Sequence, residues 1–490
     1  MAICRRQFGA VLAAGAAFRL RALPPRPKLL VLVILEQMRP DYLDAAWPQL
    51  SAGGLRRLLE KGAFYPDCRH LASTFTASSV STLATGAWPA QHGIVADSWY
   101  DRTARGPIKA SDEVLLATTL AAQVDAESHM RSWVVGMEES DAALFAGASA
   151  SPIYWMDEQG LFTTRGDVPD WVSVYNIQKN PESARNAKWL AVGAKPDAPP
   201  LRVLNYSPDR PHEFLNLYKA SPWGQGAQFD FLSELMVRER VGQSNTTDVV
   251  CLVLGSMARL GHETGGPSPL MQQMVLQLDR RLETLLGQLG RVPGENAYNL
   301  VLVGAHGAPP EPPDYSRARM AVNGERVAQS VERTLVAAGN GHVEKYLYPF
   351  LYLDTTGFRD PEPLRRAAGR AALQYAAVAE FFTAGGASST FDGWARRFRN
   401  SFHPVRSGDV MLSYRAEYVE EFGQNRGVSY GSLYDYDVRV PLCFYGPQFR
   451  TAVFESPVES VDVAPTLARV LGVPTPSSSV GRVLGEALLE

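Results

Sequence analysis

The chain reads as a series of short, unbroken apolar runs, each closed by a polar or glycine-containing turn. Residues 28–35 run Lys-Leu-Leu-Val-Leu-Val-Ile-Leu, residues 248–254 Asp-Val-Val-Cys-Leu-Val-Leu, and residues 299–303 Asn-Leu-Val-Leu-Val. Runs without polar alternation fit central strands covered on both faces. Between the second and third, Leu270, Met271, Met274, Val275, Leu278, Leu282, Leu285, Leu286 and Leu289 recur at the period of a helix packed on a sheet. Residues 54–59 form a second amphipathic helix. Residues 80–84 begin a helical stretch that Gly86 and Pro89 stop. Residues 440–445 give a last strand, residues 463–467 a last helix, and residues 481–484 a hairpin-like tail. Strands alternating with helices predict an α/β fold, a mostly parallel central sheet flanked by helices.

Two stretches break the alternation. Residues from about 150 to 220 are rich in Trp, Asn, Asp and Pro, and residues from about 308 to 430 hold several helical patterns. Both are expected to be insertions that cap the end of the sheet where a site would lie. The fold is thus expected over residues 28–490. Residues 1–27 are expected to be a twin-arginine-like signal segment with a linker: Arg5 and Arg6 precede a weakly apolar run at residues 9–18, and Pro24, Pro25 and Pro27 follow. The expected location is therefore periplasmic, with a cytoplasmic protein carrying a loose tail as the alternative. The run is too short to span a bilayer, so no transmembrane segment is expected.

Composition narrows the partners. At 46% hydrophobic and 20% charged residues, the chain is an ordinary globular one. A net charge of −3 without a basic run excludes a nucleic-acid surface. Four cysteines make no disulfide framework, and Cys251 and Cys443 sit inside apolar runs as buried small hydrophobes.

Candidate chemistry lies at strand ends. Glu36 closes the first apolar run, where open α/β sheets place their sites. Thr76 lies in the hydroxyl-rich stretch 73–79, leading into a helix whose N-terminus favours an anion. Alone, that stretch reads more readily as a helix cap.

Six separated motifs change the weighting. They are Glu36-Gln37-Met38-Arg39; Thr85-Gly86 with Pro89 and His92-Gly93-Ile94; Gly261-His262; Ala305-His306-Gly307; Arg406-Ser407-Gly408-Asp409; and Tyr430-Gly431-Ser432 with Tyr436-Asp437. In that order the chain resembles the alkaline phosphatase superfamily, in its type I phosphodiesterase/nucleotide pyrophosphatase branch. The resemblance implies hydrolysis of phosphate mono- or diesters, with a threonine nucleophile at Thr76 and two zinc ions held by three Asp and three His. Two ions suit the chemistry, because one activates a poor hydroxyl nucleophile and the other stabilises the leaving oxygen.

Position by position, the metal set is depleted. Glu36 stands where the family has Asp, and His262 and His306 are retained. Ala258 and Ala305 stand where the family has Asp, and Tyr430 where it has His. Asp97 replaces an Asn that contacts a phosphoryl oxygen. Ser140 and Ala142 stand where related phosphatases carry Lys and Arg, beside Glu138 and Glu139. The expectation is a catalytically impaired or inactive homologue with a residual binding role, its ligand a small phosphorylated molecule. It holds no metal or one weakly bound divalent ion such as zinc, and not two. The alternative is an active ester hydrolase using Thr76 with a rebuilt single-metal site that recruits His342, His403 or Asp409.

Overall fold

The computed structural model describes residues 26–127, 129–309, 320–339, 341–387, 393–421 and 430–489. The signal-like segment, apart from Arg26 and Pro27, and parts of the second insertion lie outside them.

Among the described residues, ten strands form the central sheet. In chain order they are β1 (Leu29–Leu35), β2 (Ala63–Arg69), β3 (Arg131–Val135), β4 (Ile153–Met156), β5 (Phe162–Thr164), β6 (Asp248–Leu254), β7 (Tyr298–Gly304), β8 (Arg439–Tyr445), β9 (Ala452–Val453) and β10 (Val458–Glu459). Across the sheet the order is β9-β2-β8-β7-β1-β6-β3-β4-β5, with β10 also on β2. The centre is parallel: β7, β1, β6, β3 and β4 run the same way. Only β8 and β5 run against their neighbours.

The unbroken apolar runs have the expected cause. Along β1, Leu29, Val31, Val33 and Leu35 enter the core on one face, and Leu30, Leu32 and Ile34 the core on the other. Successive side chains of a strand point to opposite faces, so a strand buried on both must be apolar throughout. One face is covered by α1 (Thr76–Thr85) and α2 (Glu139–Ala146). The other is covered by α3 (Pro222–Arg238) and α5 (Pro269–Leu289), while α4 (Ser256–Thr264) follows β6.

Two expectations about the insertions are corrected. Residues 153–164 extend the central sheet as β4 and β5, because short apolar stretches here pair at an open edge. The remainder of residues 150–220 packs on the α3 face through Tyr175, Phe214 and Tyr218 and lines none of the candidate cleft. The second insertion holds more than helices. Residues Val343–Leu347, Phe350–Leu353, Val410–Tyr414, Val378–Thr383 and Gly386–Ala387 form a five-stranded antiparallel sheet. Helices Gly324–Ala337 and Glu362–Ala372 share its own core. Its other face, through Phe350, Tyr352, Phe382 and Met411, joins the core on the α1 side. The tail is not a hairpin: after residue 484 it makes a short 3₁₀ turn and bridges Leu488 to Phe449. Cys68, Cys251 and Cys443 are buried free thiols.

Candidate active-site cleft

Register assembles the site. Leu35 at the end of β1 is level with Leu254 of β6 and Gly304 of β7. The residues just beyond, Glu36, Gly255 and Ala305-His306, therefore emerge at one end of the sheet. The Glu36 N–H still donates to Leu254 O (3.2 Å), and the Ala305 N–H to Leu35 O (2.8 Å). Ala258 lies in the first turn of α4, and His262 one turn further on.

Thr76 is the first residue of α1, a helix whose ten residues are all buried although six of them are hydroxylic. Several of the hydroxyls are accommodated by donating backwards, Thr82 Oγ1 to Ser78 O (2.9 Å) and Thr85 Oγ1 to Ser81 O (2.7 Å). Gly86 ends the helix in a left-handed turn (φ 67°). Thr76 Oγ1 lies 3.0 Å from Glu36 Oε2 and 3.2 Å from His306 Nε2. His306 Nδ1 is 2.8 Å from Gly307 O, a carbonyl that can only accept. In the neutral ring the proton is therefore on Nδ1, and Nε2 presents its lone pair to Thr76. Burial lowers the His306 pKa to about 4, which keeps the ring neutral. Burial, and then the charge of Asp141, holds the Glu36 carboxyl well above the ordinary carboxylate range. The longer side chain fits because position 255 is glycine. A Cβ there would lie 2.9 Å from Met137 Cβ and 3.1 Å from Glu36 Oε1.

Asp97 Oδ1 accepts the Ala77 N–H (2.9 Å) at the start of α1, and its Oδ2 receives the Tyr430 hydroxyl at 3.5 Å. A carboxylate thus occupies the helix end that an incoming anion would use. Asp97 is open to the cleft, yet protein on its other sides raises its carboxyl above the ordinary range. Tyr430 lies against both imidazoles, with ring centroids 4.8 Å from His262 and 4.4 Å from His306. Its neighbour Gly431 (φ 102°) gives Phe75 room: a Cβ there would come within 2.4 Å of the Phe75 ring.

Glu36, Thr76, Ala258, His262 and Tyr430 line one cavity of about 360 Å³ together with Asp97, Ser140, Asp141, Lys109 and Arg259. Ala305 and His306 are wholly buried directly behind. Glu36, Thr76, Asp97, Ala258, His262, Ala305, His306 and Tyr430 therefore meet at one end of the sheet. His342, His403 and Asp409 do not line this cavity. His342 is on the surface beside Glu332, and Asp409 is buried between Arg102 and Arg365.

The reading of Glu138 and Glu139 as the acids facing a substrate is corrected for Glu139 alone, since Glu138 does line the cavity. Glu139 turns outward to Arg165 (2.9 Å), and Glu138 is held by Arg259 and by Lys219 (3.3 Å). The acid that the helix itself adds to the cavity, beside Glu138 at its cap, is Asp141. It accepts the Glu138 N–H in the first turn (3.1 Å), and burial, then the charge of Glu138, raises its carboxyl to about 7. A capping-box spacing, Glu138 to Asp141, is the signal that could have found it.

Zinc can be tested against these positions. Two ligands of a tetrahedral zinc at bonds of about 2.0 Å stand about 3.3 Å apart. The 3.0 and 3.2 Å spacings of Glu36, Thr76 and His306 fit one such ion, with Gly307 O orienting the imidazole from behind. At the second position His262 faces Ala258 and Tyr430, which does not fit. Among the described residues no three His, Cys, Asp or Glu side chains are grouped to hold a metal.

Comparison with known proteins agrees with this geometry. Residues 30–374 match the family model described as type I phosphodiesterase / nucleotide pyrophosphatase. The chain is 24% identical to alkaline phosphatase PhoV of Synechococcus elongatus, covering 94% of this chain and 93% of that one. It is 23% identical to alkaline phosphatase PafA of Elizabethkingia meningoseptica, covering 95% of each. The crystal structure of wild-type alkaline phosphatase PafA superposes with a TM-score of 0.85 at 20% identity, over 95% of this chain and 99% of that one, a likeness of fold.

Proposed function

The chain belongs to the type I phosphodiesterase / nucleotide pyrophosphatase family of the alkaline phosphatase superfamily, and from that premise we propose that its own site is catalytically impaired and serves mainly to bind. The family chemistry is phosphoric ester hydrolysis. The observation that carries the proposal is Tyr430, whose ring packs on His262 and His306 where a second ion would need ligands. With Ala258 and Ala305 beside it, only one imidazole remains at that position, too little to hold zinc against water. The leaving oxygen then lacks its Lewis acid, a contribution worth several kcal/mol, or several powers of ten in rate.

A second reading is favoured by the Glu36–Thr76–His306 spacing. One divalent ion held there would supply a lowered hydroxyl pKa at Thr76, while the helix end beside it stays occupied by Asp97. The discriminating experiment is hydrolysis of simple phosphate mono- and diesters with zinc, manganese or magnesium supplied. The expected result is little turnover. Brisk turnover that Thr76→Ala abolishes would refute the impaired reading in favour of the single-ion one. We propose export by a twin-arginine route on the strength of Arg5 and Arg6 and the short apolar run behind them.

A further inference from the structure

The Arg406-Ser407-Gly408-Asp409 motif lines no part of the cleft. Its partners lie on a hairpin of strands Ser98–Asp101 and Gly106–Lys109, whose base reaches the cleft. Asp97 precedes the first strand, Lys109 ends the second, and both line the cavity with Ala110. The Ala110 N–H donates to Asp97 O (3.0 Å) and closes that base. At the tip, Asp101 Oδ1 accepts the N–H groups of Thr103 and Ala104 (2.7 Å each), shaping the turn that carries Arg102. The tip is gripped by the cap that the second insertion forms. Arg102 Nη2 donates to Asp409 Oδ2 (2.5 Å), and the Tyr100 hydroxyl to Glu344 Oε1 (2.8 Å). The Tyr100 N–H donates to the Tyr352 hydroxyl (3.3 Å), which itself donates to Arg406 O (3.0 Å). Arg406 donates to Gly93 O (2.7 Å) and lies over the Trp99 ring, 5.2 Å from its centre. The first and last residues of the motif thus bracket one strand of the hairpin. The Asp409 side chain is 2% exposed and takes a donor from three elements. They are Arg102 of the hairpin, Arg365 of the cap helix Glu362–Ala372 (3.0 Å), and the Leu353 N–H of the cap sheet (2.8 Å).

We propose that the hairpin is a lever: through Asp409 and Glu344 the cap sets where Asp97 and Lys109 stand in the cleft wall. The motif is then a positioning device, and its residues take no part in chemistry. A two-stranded hairpin is marginal by itself in water, so what grips it fixes its position. Four residues per strand make an arm of about 13 Å between cap and cleft. Asp97 is the sensitive end, because its Oδ1 holds the Ala77 N–H at the start of α1 (2.9 Å). A cap that shifts carries Asp97 off that N–H, and a seated cap keeps it there. The coupling concerns the wall itself, so it stands under either reading of the cleft's activity.

Hydrogen–deuterium exchange of the full chain, read at single amides, tests it. The amides of Ala77 and Ala110 both donate to Asp97 and so report whether it is in place. Tyr100→Phe with Arg102→Ala cuts the hairpin's two side-chain ties to cap carboxylates. Exchange at both amides should then speed up about tenfold or more, the worth of hydrogen bonds to charged groups. Arg102→Lys, which keeps a cation beside Asp409, should restore most of the protection in the Tyr100→Phe background. Arg365→Ala is the control: it takes a donor from the same carboxylate on the cap side and leaves both hairpin ties whole. It should loosen the Leu353 amide and leave Ala77 and Ala110 near the wild-type rate. Thermal melting verifies folding, and if the double variant melts without cooperativity, each single variant carries the same test with a smaller rise. Unchanged exchange at Ala77 on cutting the ties would overturn the proposal. So would a rise spread evenly along the chain, or an equal rise at Ala77 in Arg365→Ala.

Discussion

Rebuilding the missing ligands gives the strongest test of why this site is as it is. The perturbation is Ala258→Asp, Ala305→Asp and Tyr430→His together, with Glu36→Asp added to bring the first ligand back by one methylene. Ala305 is wholly buried and Ala258 nearly so, and both sit among Glu36, Asp97 and Asp141. Without metal, two further carboxyls there are uncompensated and should cost on the order of 3–5 kcal/mol. Zinc at a thousandfold excess over its dissociation constant returns about 4 kcal/mol. Unfolding entropy of about 2.1 cal/mol/K per residue amounts to about 1 kcal/mol/K for 490 residues. The zinc-dependent rise in melting temperature is then about 4 °C for the rebuilt chain and close to zero for the wild type. Differential scanning calorimetry with zinc and with chelator reads it directly. Single restorations should show almost nothing, because the ligands of one ion act as a unit. Ester hydrolysis should return only in part, since Asp97, Ser140 and Ala142 still offer a phosphoryl group no cationic donor. A wild-type chain that zinc stabilises as strongly as the rebuilt one would refute the reasoning, and so would a rebuilt chain indifferent to zinc.

Two further outcomes follow from the same residues. Asp141 has its carboxyl raised to about 7, so the folded state keeps that proton while the unfolded chain has already released it, and stability falls as pH rises from about 4 through 7. Asp141→Asn removes the ionisation. Its stability gain over wild type should be larger at pH 8 than at pH 5 by more than about 1 kcal/mol, as read from urea midpoints; an equal gain at both values would contradict the assignment. For export, Arg5→Lys with Arg6→Lys should shift tagged protein from the periplasm to the cytoplasm on cell fractionation, and a wild-type protein found wholly cytoplasmic at full length would sink the proposal.

What could be read from the chain alone was what burial writes into it. The runs that became β1, β6, β7 and β8 are apolar past their opening residues because both faces are covered, and the ends of two of them then marked Glu36 and His306. The helix of residues 269–289 was visible because only one of its faces is buried. By contrast, β2 alternates buried and half-buried residues and carries Pro66 and Asp67, and β3 opens on an exposed arginine, so neither shows an unbroken apolar run. The cap's antiparallel sheet was hidden by the strongly amphipathic helices lying over it. In the cleft, the identities of the lost ligands could be read, but the partners of Glu138 could not. Arg259 and Lys219 lie about a hundred residues away in sequence, and no local pattern announces such a pairing.

The order of strands across the sheet sets when the site can exist. All the strand partners of β2 come from β8, β9 and β10, within residues 439–459. Until that late segment has emerged, β2 has no strand to pair with, and the turn from β2 into Thr76 lacks its anchor in the sheet. Pairings this distant in sequence form late and slowly. A chain stopped short of Arg439 could set Glu36 beside His306 through β1 and β7, yet it would lack every strand that anchors β2, the strand leading to Thr76.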